Sequence, residues 1–491
     1  MSGLFTPVDH EARERARADH RTSLVLEAGA GTGKTTLLVD RIERLVRSGA
    51  LRLEQVAAVT FTENAATTMK LRLRERLEKA RADPDAPAAE RERAAAALEV
   101  LERAQVSTIH ALCAAILGER PLDCGVPPGF RMADDAESDL LFAQAWEEWL
   151  AESLARGDGV LLEAMDREIP LEGEGPWGER WSLRGLARTL IEQRDLEPLL
   201  ATAPADPGAW RTELLEQATR GARLAALAQE GDTLKARLEN LSAFAEEARP
   251  LEGPALLAHL AAMPVVPRHF GYKPRWPSPE VLEQARAVAA WTSQASTRWS
   301  AARSALLHGR LVRALRGVGQ IYAARKRERG LLDFLDLLLR ARDALRDHEA
   351  VRRHFRRRFR ALIIDEFQDT DPLQVEIARL LAGDTPGSLV LVGDAKQSIY
   401  RFRRADAAIF RHVSEEAARS AGSAVLPLTQ NFRSRPAILR FVNRVFSELI
   451  VPSADTGQPA YEPIAPPPGL PEEPSVVALR FAAAPFSSTE E

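Results

Sequence analysis

Three groups of residues in this sequence, the third in two segments, have the types and spacings that chemistry requires. The first is Ala28-Gly29-Ala30-Gly31-Thr32-Gly33-Lys34-Thr35-Thr36, set between the apolar Leu24-Val25-Leu26 and Leu37-Leu38-Val39. A buried strand, a glycine-rich turn and a helix start in that order let backbone N–H groups wrap phosphate oxygens. Lys34 has the reach for the outer phosphates, and the Thr35 hydroxyl suits Mg²⁺. Ala28 stands where a first glycine is usual, and its side chain is small enough for the turn. The stretch therefore points to a bound nucleoside triphosphate rather than to an unliganded turn.

The second stretch is Asp365-Glu366-Phe367-Gln368-Asp369-Thr370-Asp371, directly after the apolar Ala361-Leu362-Ile363-Ile364. Ligand crevices of parallel sheets lie at the carboxyl ends of strands. Phosphoryl transfer to water needs one carboxylate for the metal and another group for the water, so Asp365 and Glu366 can divide these roles. Third come Gly393-Asp394-Ala395-Lys396-Gln397-Ser398-Ile399-Tyr400-Arg401-Phe402-Arg403-Arg404 and Asn431-Phe432-Arg433-Ser434-Arg435. Gln397 has the reach to sense a terminal phosphate, and Arg433 suits a charge that develops there. Tyr400 and Phe402 alternate with arginines, as a single-strand groove requires, faces for bases and cations for phosphates, although composition alone favours core aromatics beside a solvated basic stretch.

The elements that must hold these residues alternate. A charged helix is expected over 9–20, a strand at 24–28, and a helix to Arg47 that ends at Ser48-Gly49. A strand follows at 56–61, then a helix with Ala65, Met69, Leu73 and Leu77 on one face, then a charged helical stretch at 83–99. Val106-Ser107-Thr108-Ile109-His110 reads as a further short strand, which makes the pattern that of a parallel sheet. From about 134 to 350 the pattern is helical, with an apolar stripe through Leu141, Ala145 and Trp149. Strands return at 361–364, 388–392 and 425–428, and a helix after Pro436 carries Ile438, Phe441, Val442 and Val445 on one side. A Pro-rich linker spans 451–474, and 475–481 has the character of one more strand.

Length and composition set wider bounds. At 491 residues and 54.0 kDa the chain exceeds one ordinary core. A net charge of −4 carries no global polybasic signature, though local patches decide nucleic-acid binding. Cys113 and Cys124 are too few for a disulfide framework. With no long apolar run and no signal-peptide pattern, the expected place is the cytoplasm, with no membrane partner.

Taken in order, AGAGTGKT, VTFTENAA, STIHALC, LIIDEFQDTDPLQ, LVGDAKQSIYRFRRAD and LTQNFRS resemble the UvrD/Rep-like branch of superfamily-one DNA helicases. The Asp333-Phe334-Leu335-Asp336-Leu337 element and the DTDPLQ ending look most like the RecB/AddA helicase–nuclease subunits. That resemblance covers about 5–118 and 355–446. It implies an ATP- and Mg²⁺-dependent 3′→5′ DNA motor in repair and recombination. Residues 28–36 would hold ATP, with Thr35 and Asp365 on the metal. Glu366 would activate water, Gln397 would couple the γ-phosphate to DNA, and Arg433 would act as an arginine finger. Phe432, where the family often has Tyr, would stack on adenine. Thr60, Phe61, Thr62, Asn64, His110, Tyr400 and Phe402 match positions along the single-strand path.

The implied fold is an α/β, RecA-like P-loop sheet with a large inserted all-α domain and the start of a second RecA-like lobe. Its expected divisions are 1–120 and 355–424 for the first motor lobe, 121–354 for the helical accessory insertion, and 425–491 for the truncated second lobe. Single-stranded or junction DNA is the implied partner, together with a second helicase–nuclease subunit. Three features depart from the family pattern: Asp9-His10-Glu11-Ala12 stands where a glutamine usually reads adenine, Arg404 replaces a common glycine, and the later helicase motifs do not occur by residue 491. A stand-alone repair helicase, an ATP-binding DNA switch and a small-molecule P-loop kinase are the rival readings, the last disfavoured by the Tyr-Arg-Phe-Arg stretch.

Overall fold

In a computed structural model, which describes residues 6–173, 181–196, 206–400, 404, 407–453 and 460–467, six parallel strands form one sheet. They are β1 Ser23–Ala28, β2 Val56–Thr60, β3 Gln105–Thr108, β6 Ala361–Ile364, β7 Leu389–Gly393 and β8 Ser423–Leu428, in the spatial order β3-β2-β6-β7-β1-β8. A two-stranded parallel pair joins β4 Arg131–Met132 to β5 Leu331–Leu332. The sheet is mixed with helices: α1 His10–Ala18, α2 Lys34–Arg47, α3 Glu63–Ala82, α4 Ala88–Val100, α5 Ile109–Glu119, α13 Phe334–Asp347, α14 Glu349–Arg358, α15 Pro372–Ala382, α16 Ala407–Arg419 and α17 Pro436–Leu449.

Period-two alternation sorts the strand residues onto two faces. Val25, Ala57, Val59, Leu362, Ile364 and Leu391 pack with α5, α13, α14, α15 and α16. Leu24, Leu26, Val56, Ala58, Ala361, Ile363, Val390 and Val392 pack with α1 to α4. Because both faces are covered, these strands read as continuous apolar runs. Burial of each such aliphatic side chain is worth about 1.5–3 kcal/mol. The pairings Glu27↔Gly393, Ile364↔Leu391 and Val59↔Ile364 bring the carboxyl ends of β1, β7, β6 and β2 to one edge. That edge carries the chemistry-bearing loops.

Several expectations change. Ser423–Leu428 pairs along its whole length with β1, so a boundary at 425 cuts through a strand of the first sheet. Pro427 is tolerated within that pairing because β8 is an edge strand. His110 is not in a strand: β3 stops at Thr108, whose hydroxyl caps α5 by accepting the N–H of Ala111 at 3.3 Å. Ala66, rather than Ala65, faces inwards on α3. The stripe on α17 is largely exposed, with only Pro436 and Leu439 buried.

The chain divides into two compact units, Met1–Met132 with Gly330–Glu491, and Ala133–Arg329. The second unit is narrower than the expected 121–354, because α13 and α14 pack in the core of the sheet unit. Its helices are α6 Asp135–Ala155, α7 Gly159–Asp166, α8 Leu183–Glu192, α9 Pro207–Ala225, α10 Thr233–Glu247, α11 Gly253–Ala261 and the long α12 Pro279–Glu328. Trp276 and Trp299 are buried among leucines and alanines of α9 to α12, which makes tryptophan here a packing residue. The expected strand at 475–481 lies outside the described residues.

Candidate functional site: a phosphate-loop cleft and its aromatic flank

The loop between β1 and α2 is shaped by backbone that only glycine adopts easily. Gly31 and Gly33 have φ of +76° and +79°, and Gly33 is the N-cap of α2, so no side chain caps that helix start. The first N–H groups of α2 thus depend on a partner from outside the helix, as in anion sites. Thr32 is buried, and its hydroxyl donates to Gly29 O at 2.8 Å, which folds the loop on itself.

Lys34, the first residue of α2, meets the carboxyl end of β6. Its Nζ is 2.7 Å from Glu366 Oε2. Glu366 sits at φ +53°, a left-handed conformation that costs a non-glycine residue about 1–3 kcal/mol. That strain directs its carboxylate toward the phosphate loop. Asp365 is buried beside it and accepts the Glu366 N–H at 3.0 Å. Burial and the adjoining Glu366 carboxylate push the Asp365 carboxyl up to about 6, against the pull of Lys34. A buried carboxylate in that condition favours a cation, which fits Mg²⁺.

Gln368 ties the carboxylates to β7. Its Nε2 donates to Glu366 Oε2 at 2.8 Å, and its Oε1 accepts the Asp394 N–H at 3.0 Å. A Cβ on Gly393 would lie 2.5 Å from Gln368 Oε1, so this bridge requires glycine there. Gln397 does not reach the loop directly. Its Nε2 donates to Asp394 Oδ2 at 2.7 Å, and Lys396 pairs with the other oxygen of the same carboxylate.

The segment after β8 closes the cleft. Asn431 Nδ2 donates to Ala30 O at 2.8 Å, while its Oδ1 accepts the N–H groups of Arg433 and Ser434. Phe432 N–H donates to Gly31 O at 2.8 Å. Phe432 is half exposed, and the Arg433 Cβ lies against Gly31. So the structure gathers residues 28–36, Asp365, Glu366, Phe432 and Arg433 into one cleft, with Gln397 joined to Glu366 through Asp394 and Gln368.

Spacing alone did not reveal Asp9, Arg13, Gln368 and Asn431. Asp9 and Arg13 form a buried ion pair at 2.7 Å on α1's first turn. Asp9 Oδ2 also accepts the N–H groups of Thr429 and Gln430, and the Arg13 guanidinium lies 4.9 Å from the Phe432 ring centroid. Burial alone would raise the Asp9 carboxyl, but hydrogen bonds from Arg13, Gln430 and Thr429 hold it below the usual range. The place of the expected glutamine is therefore filled by a latch that fixes the strand leading to Phe432.

A second concavity of about 600 Å³ lies on the same sheet edge, beyond the ends of β2 and β3. Thr60, Phe61, Thr62 and His110 line it. Thr60 Oγ1 donates to Thr62 O at 2.9 Å, and Thr62 caps α3 through Ala65 N–H, so both hydroxyls also serve the fold. Asn64 is exposed in the first turn of α3. Phe61 and Tyr400 are ring neighbours at 4.9 Å between centroids. Burial lowers the His110 imidazole pKa, against Asp371 and Glu63. Phe402 lies outside the described residues.

Known proteins resemble this chain in sequence. The profile of the UvrD/REP helicase N-terminal domain family matches residues 9–418. The AddA subunit of an ATP-dependent helicase/nuclease from Moorella thermoacetica is 32% identical over 91% of this chain and 35% of its own length. Proteins of the same name from Desulforudis audaxviator and Listeria monocytogenes are 30% and 26% identical, over 92% and 87% of this chain and 41% and 38% of theirs. The chain thus spans well under half the length of these curated relatives. No helix among the described residues is long and apolar enough to cross a membrane.

Proposed function

This chain belongs to the UvrD/REP helicase N-terminal domain family, and from that premise we propose that it is the ATP-binding part of a DNA motor. In this reading it hydrolyses ATP to move 3′→5′ along single-stranded DNA, as the N-terminal part of a RecB/AddA-type subunit in break repair. The observation that carries the reading is the Lys34–Glu366 contact at 2.7 Å, with Asp365 buried beside it and the uncapped start of α2 alongside.

The N–H groups at the start of α2 and the Lys34 ammonium bind the β- and γ-phosphates. Thr35 and Asp365 would hold Mg²⁺, which supplies charge neutralisation on the phosphate oxygens. Lys34 cannot serve a phosphate and Glu366 equally well, so its move to the nucleotide frees Glu366 Oε2. Gln368 keeps that carboxylate in place, and Glu366 then takes the proton of the water that attacks the γ-phosphorus. Arg433 meets the charge that grows on the γ-phosphate. Phe432, fixed by Asn431 and by the Asp9–Arg13 latch, offers its exposed face to the base. Both carboxylate oxygens of Asp9 are engaged, so it does not read adenine as a free glutamine amide would.

Along the second concavity, Phe61, Asn64, His110 and Tyr400 contact the single strand, with Thr60 and Thr62 as the backbone-side hydroxyls. Gln397, Asp394 and Gln368 link Tyr400's segment to Glu366, a continuous path by which DNA stimulates hydrolysis. Residues 133–329 act as the accessory domain toward duplex or a second subunit. The test is ATP hydrolysis by this chain with and without single-stranded DNA. Stimulation that disappears in Lys34→Ala supports the reading. Undetectable ATP binding, or equal hydrolysis by Lys34→Ala, overturns it.

A further inference from the structure

The amino ends of the strands form a second edge of the sheet, and cations crowd it. The parallel pairings Val56↔Ala361 and Ala57↔Gln105 set the amino ends of β2, β6 and β3 level with one another, away from the nucleotide cleft. Only Phe359 and Arg360 separate α14 from β6, so the last turn of α14 lies at this edge. That helix carries five arginines in its ten residues: Arg352, Arg353, Arg356, Arg357 and Arg358. Arg360 follows, and its N–H donates to Gln55 O at 2.8 Å, which ties it to the turn before β2. On the neighbouring turns stand Arg52, with 79% of its side chain exposed, and Arg103.

A helix C-terminus carries a partial charge of about −0.5, which one cation satisfies, so the dipole does not account for this number. Ion pairs do not account for it either. Arg353 pairs with Glu349, and Arg358 with Glu119. Arg356 donates to Leu380 O at 2.9 Å with its guanidinium against Gly383, so its charge is positioned but not neutralised. Arg357, Arg360 and Arg103 are exposed and have no ion-pair partner among the described residues. Of the acids on these turns, Glu54 lies 4.0 Å from Arg52, Glu102 is engaged by Arg74, and Asp384 follows Gly383. The edge stays positive on a chain whose net charge is −4.

What this edge lacks decides what fits it. Among the described residues, none of the exposed large apolar side chains belongs to α14 or to the turns before β2, β3 and β6. Val351, Phe355 and Phe359 all pack in the core. A protein interface draws its affinity from aromatic and aliphatic anchors, and a single-strand site from rings on which bases stack. Neither is offered here. Exposed guanidinium forks without rings fit phosphate oxygens and take no account of sequence. The 600 Å³ concavity at the carboxyl edge shows the reverse, with the rings of Phe61, His110 and Phe334 and no lysine or arginine among its described lining residues.

We infer that the amino edge of the sheet, through Arg357 and Arg360 with Arg52, Arg103 and Arg356 beside them, is a docking surface for the phosphate backbone of double-stranded DNA. It uses no residue of the single-strand path. The polyanion is identified as DNA from the motor reading above, whereas the surface stands without it. Charge and shape alone hold the duplex, so binding is independent of sequence and falls steeply with salt.

The experiment follows fluorescence anisotropy of a labelled blunt duplex of about 20 base pairs, two helical turns, as salt is raised from about 50 to 200 mM. The wild-type chain should bind it. Arg357→Gln with Arg360→Gln should reduce the slope of log affinity against log salt by about two, and weaken binding at least about fivefold at the lower salt. Arg357→Lys with Arg360→Lys keeps both charges and should keep the slope. Arg72→Gln with Lys79→Gln removes the same charge from exposed sites on α3, across the sheet from α14, and should leave the slope unchanged. All four proteins should bind a single strand equally, to within about twofold.

A glutamine pair at 357 and 360 with the wild-type slope and affinity overturns the proposal and leaves the motor reading intact. So does a wild type that binds the single strand but no duplex. Equal loss of duplex and single strand in that variant overturns the assignment to duplex. Polyglutamate that displaces the duplex as readily as unlabelled duplex of equal charge assigns the edge to an acidic protein instead. A wild type that binds neither form of DNA overturns the proposal and the motor reading together.

Discussion

Two glycines in one loop should respond very differently to the same substitution. Gly31 has φ +76°, and a Cβ there would lie 2.5 Å from Asn431 Nδ2 and 3.0 Å from Arg433 Cβ. The left-handed backbone alone costs an alanine about 1–2 kcal/mol. Asn431 is almost fully buried, so its amide has nowhere to retreat without giving up the bond to Ala30 O. Its Oδ1 then also loses the Arg433 and Ser434 N–H groups, at about 1 kcal/mol for each bond broken. Gly31→Ala should therefore destabilise the sheet unit by about 2–4 kcal/mol and weaken ATP binding, because Phe432 and Arg433 are displaced together. At Gly29 a Cβ meets Ile464 Cδ1 at 3.6 Å and Asp394 Oδ2 at 3.7 Å, which is ordinary contact. Gly29→Ala should stay within about 0.5 kcal/mol of the wild type. Native-state hydrogen exchange at β1 and β8, with titration of a fluorescent ATP analogue, reads both quantities. Equal effects of the two substitutions would refute the claim that Asn431 locks the loop to the segment after β8.

The Asp9–Arg13 latch gives a pH prediction. Because the folded Asp9 carboxyl lies below its usual 3.8, its stabilisation is present above that value and fades as pH falls through the lower folded one. Asp9→Asn should cost about 3 kcal/mol near neutrality, as a broken buried pair does, with the gap from wild type closing in acid; urea melts across pH read this. A gap that widens in acid would contradict it. Gln368→Leu strips the buried Asp394 N–H of its acceptor and releases Glu366 Oε2. It should lower stability by about 1–3 kcal/mol and reduce hydrolysis at saturating ATP more than it changes ATP affinity, which steady-state kinetics beside direct binding would separate.

The parts of this protein that sequence makes legible are those in which one short segment carries its own reason. The run 28–36 holds strand, turn and helix start together, and Asp365-Glu366 follows an apolar run too continuous to be anything but a buried strand. Residues whose role depends on a distant partner were not legible. Asp9 and Arg13 look like any i, i+4 pair on a charged helix until β8 is placed beside β1, more than four hundred positions away. The strand at 425–428 is itself legible despite Pro427, but its pairing with β1 at the sheet edge is not. Gln368 bridges two strand ends that spacing does not relate, although Gly393 was a usable signal for close approach.

The central claim is that Glu366, held by Lys34 and Gln368, is the group that takes the proton from water. Glu366→Gln keeps the shape of the side chain and removes that capacity. In a single-turnover measurement with single-stranded DNA, the variant should still bind ATP and hydrolyse it about 10²- to 10⁴-fold more slowly than the wild type. Hydrolysis within about threefold of the wild-type rate, with ATP bound equally well, would contradict the account.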